Sequence, residues 1–468
     1  VSLRNRVAVS SVRHQSQMSW FGHVRATLAL GLPLVGAQLA QMAINVTDTV
    51  MIGWLGPRQL AAAVLATQTF FLFWMFGVGL AQAVMPLAAA AEGRRDVRGV
   101  RRSVRMGLWV ILAYSALAMI PLWHTEAILL LLGQEPDVAA LAGAFMRILQ
   151  WSMFASLFVM VLRSYLSVLH RTHVVLWATV AGALLNAGFD YALIFGHFGA
   201  PRLGMFGAAI ASLGTGLFTA TLLVIYTLQR ADLRHYEVYV RFWRPDWPAF
   251  REVLRVGWPI GATILAEAGL FAASSVMMGW FGTVPLAAHG IALQLASIAF
   301  MIPLGLANAA TIRVGLALGR RDQPGMKAAA SAALGVAAAI AMCGAVLFWT
   351  MPETLIGLYL DRSHANAQQV LSVGVPLLGV AAAFQLVDAL QVVGSGSLRG
   401  LKDTRVPMAI AVVSYWLIGM PAAYLLAFPL HWGGVGIWSG LACGLLAAAA
   451  LMNWRFFRRQ RFTLLPQS

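Results

Sequence analysis

Four acidic side chains stand in stretches that otherwise look like the interior of a membrane. They are Asp48 in NVTDTVMIGWLG, Asp190 in LLNAGFDYALIF, Glu267 in TILAEAGLFAASS and Asp388 in FQLVDALQVV. Residues 256–266 hold no charge, and the next charge after Glu267 is Arg313. A carboxylate at the centre of a helix in lipid costs about 2.5–3.5 kcal/mol. Four such groups facing lipid would cost on the order of 10 kcal/mol, comparable with the stability of a whole domain. They must therefore face a protein interior or a watery cavity. Asn186 and Asp190 are four residues apart and share a helix face; with Asp48 they can form one oxygen-rich cluster. Glu267 and Asp388 can form a second. Carboxylate and amide oxygens suit a hard cation or a shared proton. The alternative is a neutral, hydrogen-bonded helix contact, most natural for Asp190 near the outer end of its helix.

Other side chains are candidates for the wall of a cavity. The run QTFFLFWMF brings Phe70, Phe71, Phe73 and Trp74, which either pack against neighbours or line an apolar site. Gln41 either joins two helices or faces the cavity. Arg147 in AFMRILQW snorkels outward or reaches inward. His289 in AAHGIALQ reads first as a structural contact.

The elements that must hold these groups follow from composition. Of 468 residues, 60% are hydrophobic and 11% charged, against about a quarter charged in soluble domains. Apolar runs recur at close to the roughly 20 residues needed to span a bilayer. Twelve helical spans are expected, near 28–54, 60–86, 104–123, 138–162, 173–196, 205–228, 256–281, 286–311, 328–350, 368–394, 406–428 and 433–454. The net charge of +16 would suggest nucleic acid in a soluble protein. Here its placement gives another meaning. Of 33 Lys and Arg, only Arg58, Arg147, Arg202 and Arg362 fall towards one side, and the other 29 towards the opposite one. That bias puts both termini in the cytoplasm and leaves no role for nucleic acid. The two cysteines lie within spans and imply no disulfide framework.

MIGWLG at 51–56 returns as MMGWFG at 277–282, and GRRD at 93–96 returns at 319–322, both after 226 residues. The same shift aligns Pro33 with Pro259, Gln68 with Gln294 and Gly79 with Gly305. Duplication is indicated. The expected fold is an all-α polytopic membrane protein: twelve transmembrane helices in two six-helix lobes, related by a pseudo-two-fold axis along the membrane normal. The expected parts are an N-terminal arm (1–27), a first lobe (28–228), a cytoplasmic linker (229–255), a second lobe (256–455) and a cytoplasmic tail (456–468). The acids do not repeat: Asp48 aligns with Ser274, and Glu267 with Gln41. The lobes are therefore expected to carry different sites.

No Walker motif, HExxH, Gly-x-Ser-x-Gly or CxxC is present, so neither an ATPase nor a familiar enzyme centre is indicated and no prosthetic group is called for. Together the twelve spans and the segments NVTDTVMIGWLG, ILAEAG, LLNAGFD and VDALQVVGSGSLRGLKDT resemble the MATE family of multidrug exporters, above all its NorM-type branch. The resemblance covers about 28–455. It implies cation-coupled export by alternating access, in a bacterial inner membrane. It also implies ion-coupling roles for Asp48, Asn186 and Asp190, and a Na⁺ site at Glu267 and Asp388. One departure is Phe384, a turn before Asp388, where sodium-type relatives can carry Tyr; the lost hydroxyl leaves Na⁺ and H⁺ both open as coupling ions.

The reading that follows is a monomeric secondary antiporter in the lipid bilayer, exporting small amphipathic, often cationic drugs in exchange for Na⁺ or H⁺. The alternative is a lipid-linked precursor flippase of a related fold, which would be expected to show an arginine-rich cavity; Arg147 is the one arginine offered as a candidate for an intramembrane cavity.

Overall fold

The computed structural model describes residues 18–360 and 366–459. Arg362, most of the expected N-terminal arm and the tail beyond 459 lie outside the described residues. Among the described residues the chain is helical throughout, with no strand. The first half runs α1 (Trp20–Gly53), α2 (Pro57–Gln82), α3 (Val84–Gly93), α4 (Val97–Trp123), α5 (Thr125–Leu131), α6 (Pro136–Leu149), α7 (Ser152–Val168), α8 (Thr172–Phe195) and α9 (Met205–Gln229). After the short α10 (Ala231–Arg234), the second half runs α11 (Trp247–Gly279), α12 (Thr283–Gly319), α13 (Gln323–Thr350), α14 (Pro352–Gly357), α15 (Ala367–Gly400), α16 (Arg405–Val412), α17 (Met420–Ala427) and α18 (Gly433–Arg459). Eleven helical segments are long and apolar enough to cross a bilayer; α6 and α7, bent by 46°, make a twelfth when counted as one span.

The duplication is visible in the turns. GRRD ends a helix in both copies, and its aspartate caps the next: Asp96 accepts from the Gly99 N–H and Asp322 from the Gly325 N–H, both at 2.9 Å. An acceptor at that position satisfies an otherwise orphaned helical N–H. Arg95 and Arg321, which carry each turn, both have φ 58. The glycines ending MIGWLG and MMGWFG need positive φ, 121 at Gly56 and 111 at Gly282, which a side chain would strain.

The chain separates into two compact units, one of residues 36–264 and one joining residues up to 35 with those from 265 onward. The divisions thus fall inside α1 and α11, a few residues beyond Pro33 and Pro259, rather than at the expected 28 and 256. Backbone packing explains this. A Cβ on Gly305 of α12 would overlap the backbone of Val35, so the start of α1 lies against α12. A Cβ on Gly79 of α2 would overlap the backbone of Gly261, so the start of α11 lies against α2. The two crossings are the same crossing shifted by 226 residues.

The expected linker 229–255 is shorter than its polar composition suggested, because α11 already begins at Trp247. Residues 230–246 belong to the 36–264 unit. Arg101 Nε donates to the Tyr236 carbonyl at 2.7 Å, Trp109 Nε1 to the Phe242 carbonyl at 2.9 Å, and Tyr236 Oη to Glu92 Oε2 at 2.7 Å. Burial and this carboxylate push the Tyr236 hydroxyl upward, and burial does the same to Tyr239.

Candidate functional site

Within the 36–264 unit, the second part of α1 joins α2, α6, α7, α8 and α9 around a cavity of about 350 Å³. Gln41, Asp48, Phe70, Phe71, Trp74 and Asn186 line it, as the sequence led us to expect. Phe71 meets Phe70 and Trp74 edge-on, at 6.3 and 5.6 Å between ring centres. Trp74 Nε1 donates to Ser156 Oγ at 3.1 Å, which fixes the indole as a wall. Phe70, Phe71 and Trp74 share one helical face, whereas Phe73 is turned off it by the 3.6-residue period. Phe73 is accordingly absent from the cavity wall, and its carbonyl accepts from Tyr114 Oη at 2.6 Å.

Asp48 neighbours Asn186, Asp190 and Ser212, with Ser212 Oγ 3.4 Å from Asp48 Oδ2. Asp190 and Asn186 are fully buried. Asp48 Oδ1, both oxygens of Asp190 and both amide atoms of Asn186 have no hydrogen-bond partner among the described residues. So much unsatisfied buried polarity is costly and marks a place where a proton, an ion or a ligand belongs. The predicted first cluster is therefore assembled. Arg147 is not part of it. It points away, about half exposed, 3.8 Å from Glu126 and 5.8 Å from the ring centre of Trp123.

The arginine that does line the cavity is Arg163, 7% exposed and absent from the expectations. Arg313 and Arg399 were missed in the same way. All three stand just beyond spans cut to bilayer length, whereas α7, α12 and α15 run on past them. Hydroxyls of Ser212, Thr215 and Thr219 also face the cavity, with no pattern in the sequence to announce them.

In the unit from residue 265 onward, partly buried Glu267 and buried Asp388 lie within electrostatic reach of each other, of Arg399 and of Tyr415. Tyr415 comes from a π-helical turn, Val413–Gly419, between α16 and α17. Such turns re-aim side chains and recur at functional positions. Its hydroxyl, like Asp388 Oδ1, has no partner among the described residues. Phe384 lacks a hydroxyl, and Tyr415 brings one to the same acids from another helix. Only about 50 Å³ of open space lies beside Asp388, bordered by Gln385, Phe300 and Pro303. Among the described residues no three His, Cys, Asp or Glu converge on a metal position.

His289 and Phe384 line neither the 350 Å³ cavity nor the space beside Asp388. Trp438 Nε1 donates to His289 Nδ1 at 3.1 Å, so the ring proton sits on Nε2, 3.1 Å from Ser275 Oγ. Both nitrogens are engaged, and the imidazole is a neutral structural bracket. Phe384 packs edge-on against Trp438 and Phe271, at 5.2 and 6.0 Å between ring centres.

A duplicated bundle of membrane-spanning helices, with a walled cavity in one half and a buried acid pair in the other, defines an integral membrane protein of the transporter class. A family model described as MatE matches residues 33–192 and 259–425, and the chain belongs to that family of transporters. It is 55% identical over 96% of both chains to a protein of Rhizobium meliloti described as a probable multidrug resistance protein NorM. It is 49% identical over 94% of both to one so described from Agrobacterium fabrum. The fold matches that of a eukaryotic MATE transporter, AtDTX14, with TM-score 0.84 at 20% identity, over 95% of this chain and 98% of that one.

Proposed function

We propose that this protein is a secondary antiporter that exports amphipathic, often cationic drugs in exchange for Na⁺ or H⁺ by alternating access. The observation that carries the reading is the aromatic-walled cavity whose half-buried carboxylate, Asp48, retains an unpartnered oxygen. Aromatic faces bind flat apolar cations, and a buried carboxylate supplies their counter-charge. Asp48, Asn186 and Asp190 then form the site where drug and ion compete; each weakens the other's binding, as linkage requires. Glu267 and Asp388 are the second ion-coupling position, with Tyr415 as a further oxygen donor for Na⁺ and Arg399 as a competing charge. The relatives described as multidrug resistance proteins support the drug assignment. One arginine in the cavity, rather than a cluster, speaks against a lipid-linked precursor as cargo.

Purified protein in proteoliposomes, with Na⁺ and pH gradients imposed separately, tests this. Export of a lipophilic cation such as ethidium should follow at least one gradient. Transport driven by neither would overturn the antiport reading.

A further inference from the structure

A π turn takes one residue more than an α-helical turn, so it rotates every later side chain by about 100° against an unbroken helix, and it is rare. The one that carries Tyr415 is gripped from two sides. On one side Gly419 lies on Gly444 of α18, where a Cβ would stand 2.7 Å from Gly419 Cα and 2.8 Å from the Ser414 carbonyl oxygen. On the other, Trp416 Nε1 donates to the Ala266 carbonyl of α11 at 3.2 Å. The indole also lies against Gly269, where a Cβ would come within 3.0 Å of Trp416 Cζ2. Trp416 is the middle residue of the 23-residue span Arg405–Ala427. Indoles gather at the ends of spans, where water can meet the N–H. At mid-span the N–H depends on a protein acceptor, and a helical carbonyl has a second lone pair to offer. The bond joins the peptide unit just before Glu267 to the residue just after Tyr415. Tyr415 is fully buried and within electrostatic reach of Glu267 and Asp388, and its hydroxyl has no partner among the described residues. Neighbouring side chains on a helix point about a quarter-turn apart, so fixing the indole on α11 also fixes the direction of the phenol.

We infer that Trp416 is a positioning residue: through the Ala266 carbonyl it holds the π turn in the register that presents the Tyr415 hydroxyl to Glu267 and Asp388, and this hydroxyl, borrowed from another helix, lets the acid pair accept Na⁺. The inference rests on the antiport reading and narrows its coupling ion. Phe384, a turn before Asp388, has no oxygen to give, so the neutral donor must come from elsewhere. A proton needs only one carboxylate oxygen, whereas a hard cation needs several oxygens converging on it. A phenol turned towards two acids by a distorted and doubly gripped helix answers the second need and not the first.

The test measures binding of Na⁺ by calorimetry in detergent, with KCl as the control, and the Na⁺ concentration for half-maximal ethidium export from proteoliposomes. Tyr415→Phe removes the oxygen alone, and Trp416→Phe keeps a ring but removes the N–H. Each should weaken Na⁺ binding by about fivefold, in the range one hydrogen bond is worth. The half-saturating Na⁺ should rise by the same factor, with the maximal rate at saturating Na⁺ little changed. The double variant should bind no more weakly than Tyr415→Phe, because both changes act through one hydroxyl. Gly269→Ala, which crowds the indole without removing its N–H, should also weaken Na⁺ binding. Wild-type Na⁺ affinity in Trp416→Phe, or losses that add in the double variant, overturn the inference. If Trp416→Phe does not fold, wild-type affinity in Gly269→Ala overturns it instead. Export driven by a pH gradient and indifferent to Na⁺ overturns it as well, and leaves the antiport reading standing. Export driven by neither gradient counts against that reading.

Discussion

The two halves of this protein began as copies, and among the described residues one is hollow where the other is filled. At the 226-residue shift, Ala63 and Asn45 on the cavity wall correspond to His289 and Phe271 in the second half. Those larger residues join Phe384 and Trp438 in an edge-packed aromatic cluster, bracketed by the His289 hydrogen bonds. The same scaffold thus supports either a binding space or a solid core, according to a few side chains pointing inward. A cavity of about 350 Å³ is stability forgone. The filled half places its polar groups, Glu267, Asp388, Arg399 and Tyr415, beside tightly packed rings. It is suited to hold something as small as an ion, and the hollow half something as large as a drug.

The sharpest way to break this contrast is to exchange the two characters. Trp438→Ala should destabilise the protein by about 3–5 kcal/mol, because it opens a void in a packed core and strands His289 Nδ1. Trp74→Ala enlarges a space that already exists and should cost nearer 1 kcal/mol, about the worth of its bond to Ser156. Thermal unfolding in detergent would compare them. Comparable losses would mean that the first half is not functionally hollow.

Next in size are the acids. Glu267→Gln and Asp388→Asn keep shape and hydrogen-bonding capacity but remove charge, and so does Asp48→Asn. Each should insert normally and lose gradient-driven export by at least about tenfold, or roughly 1.4 kcal/mol in coupling. Asp190→Asn should be milder, since an amide still offers an oxygen beside Asn186. Transport at matched membrane levels is the measurement, and wild-type rates in Glu267→Gln under both gradients would reduce that residue to a packing contact.

A third difference lies where the halves are most alike. Against α3 the start of α11 brings Ala249 and Val253 into one cluster with Leu87, all apolar. The equivalent positions against α12 are His23, Thr27 and Arg313. There Arg313 Nη1 donates to the His23 carbonyl at 2.9 Å and to Thr27 Oγ1 at 2.5 Å, while Nη2 donates to His23 Nδ1 at 2.7 Å. Arg313→Leu alone should cost about 1–3 kcal/mol, by leaving those acceptors unpaired. Adding His23→Ala and Thr27→Val copies the apolar junction and should restore stability, as replacements of buried charged networks often do. A triple variant no better than the single one would show that the two crossings are not equivalent.

The smallest effect belongs to the belt 230–246, whose anchors are missing from the second copy: Glu92, Arg101, Arg102 and Trp109 align with Leu318, Lys327, Ala328 and Gly335. Arg102 binds Asp246 through Nε at 2.5 Å and Nη2 at 3.0 Å, and holds that carboxyl below the usual carboxylate range. A carboxyl lowered in the folded state stabilises it above the unfolded value of about 3.9, and ceases to as pH falls through the lower folded value. The pair is worth about 0.5–1 kcal/mol, since Arg102 is half exposed. Hydrogen exchange in 230–246 should rise between about pH 4 and 2 in the wild type, and be raised already at neutral pH in Asp246→Asn.

Much of this architecture was legible in the sequence because bilayer-length apolar runs and a gapless repeat are strong signals. The aromatic wall was half legible: residues 70, 71 and 74 share a face by helical period, and that same period should have set Phe73 aside. The buried arginines were hidden by the assumption that helices stop at the membrane's edge; α12 has 37 residues, and Arg313 lies well inside it. Tyr415 could not be read at all, because its role depends on a π turn that no local pattern of VVSYWLIG announces. Of the two readings of Arg147, the outward one holds, because a charge near a span's end is served by snorkelling.

The arrangement of α1 has a consequence for the making of the protein. His23 and Arg313 are 290 residues apart, yet they belong to one unit. At about 5–20 residues per second, a ribosome needs roughly 15–60 s to supply the partner. The 36–264 unit can close as soon as its own last residue has emerged, while the first turns of α1 wait, with the apolar side that will meet Leu306 and Ala309 still uncovered. Chains cut short before α12 should therefore hold a finished first unit and an N-terminal segment with nowhere to dock, which is the form that quality-control proteases would meet first.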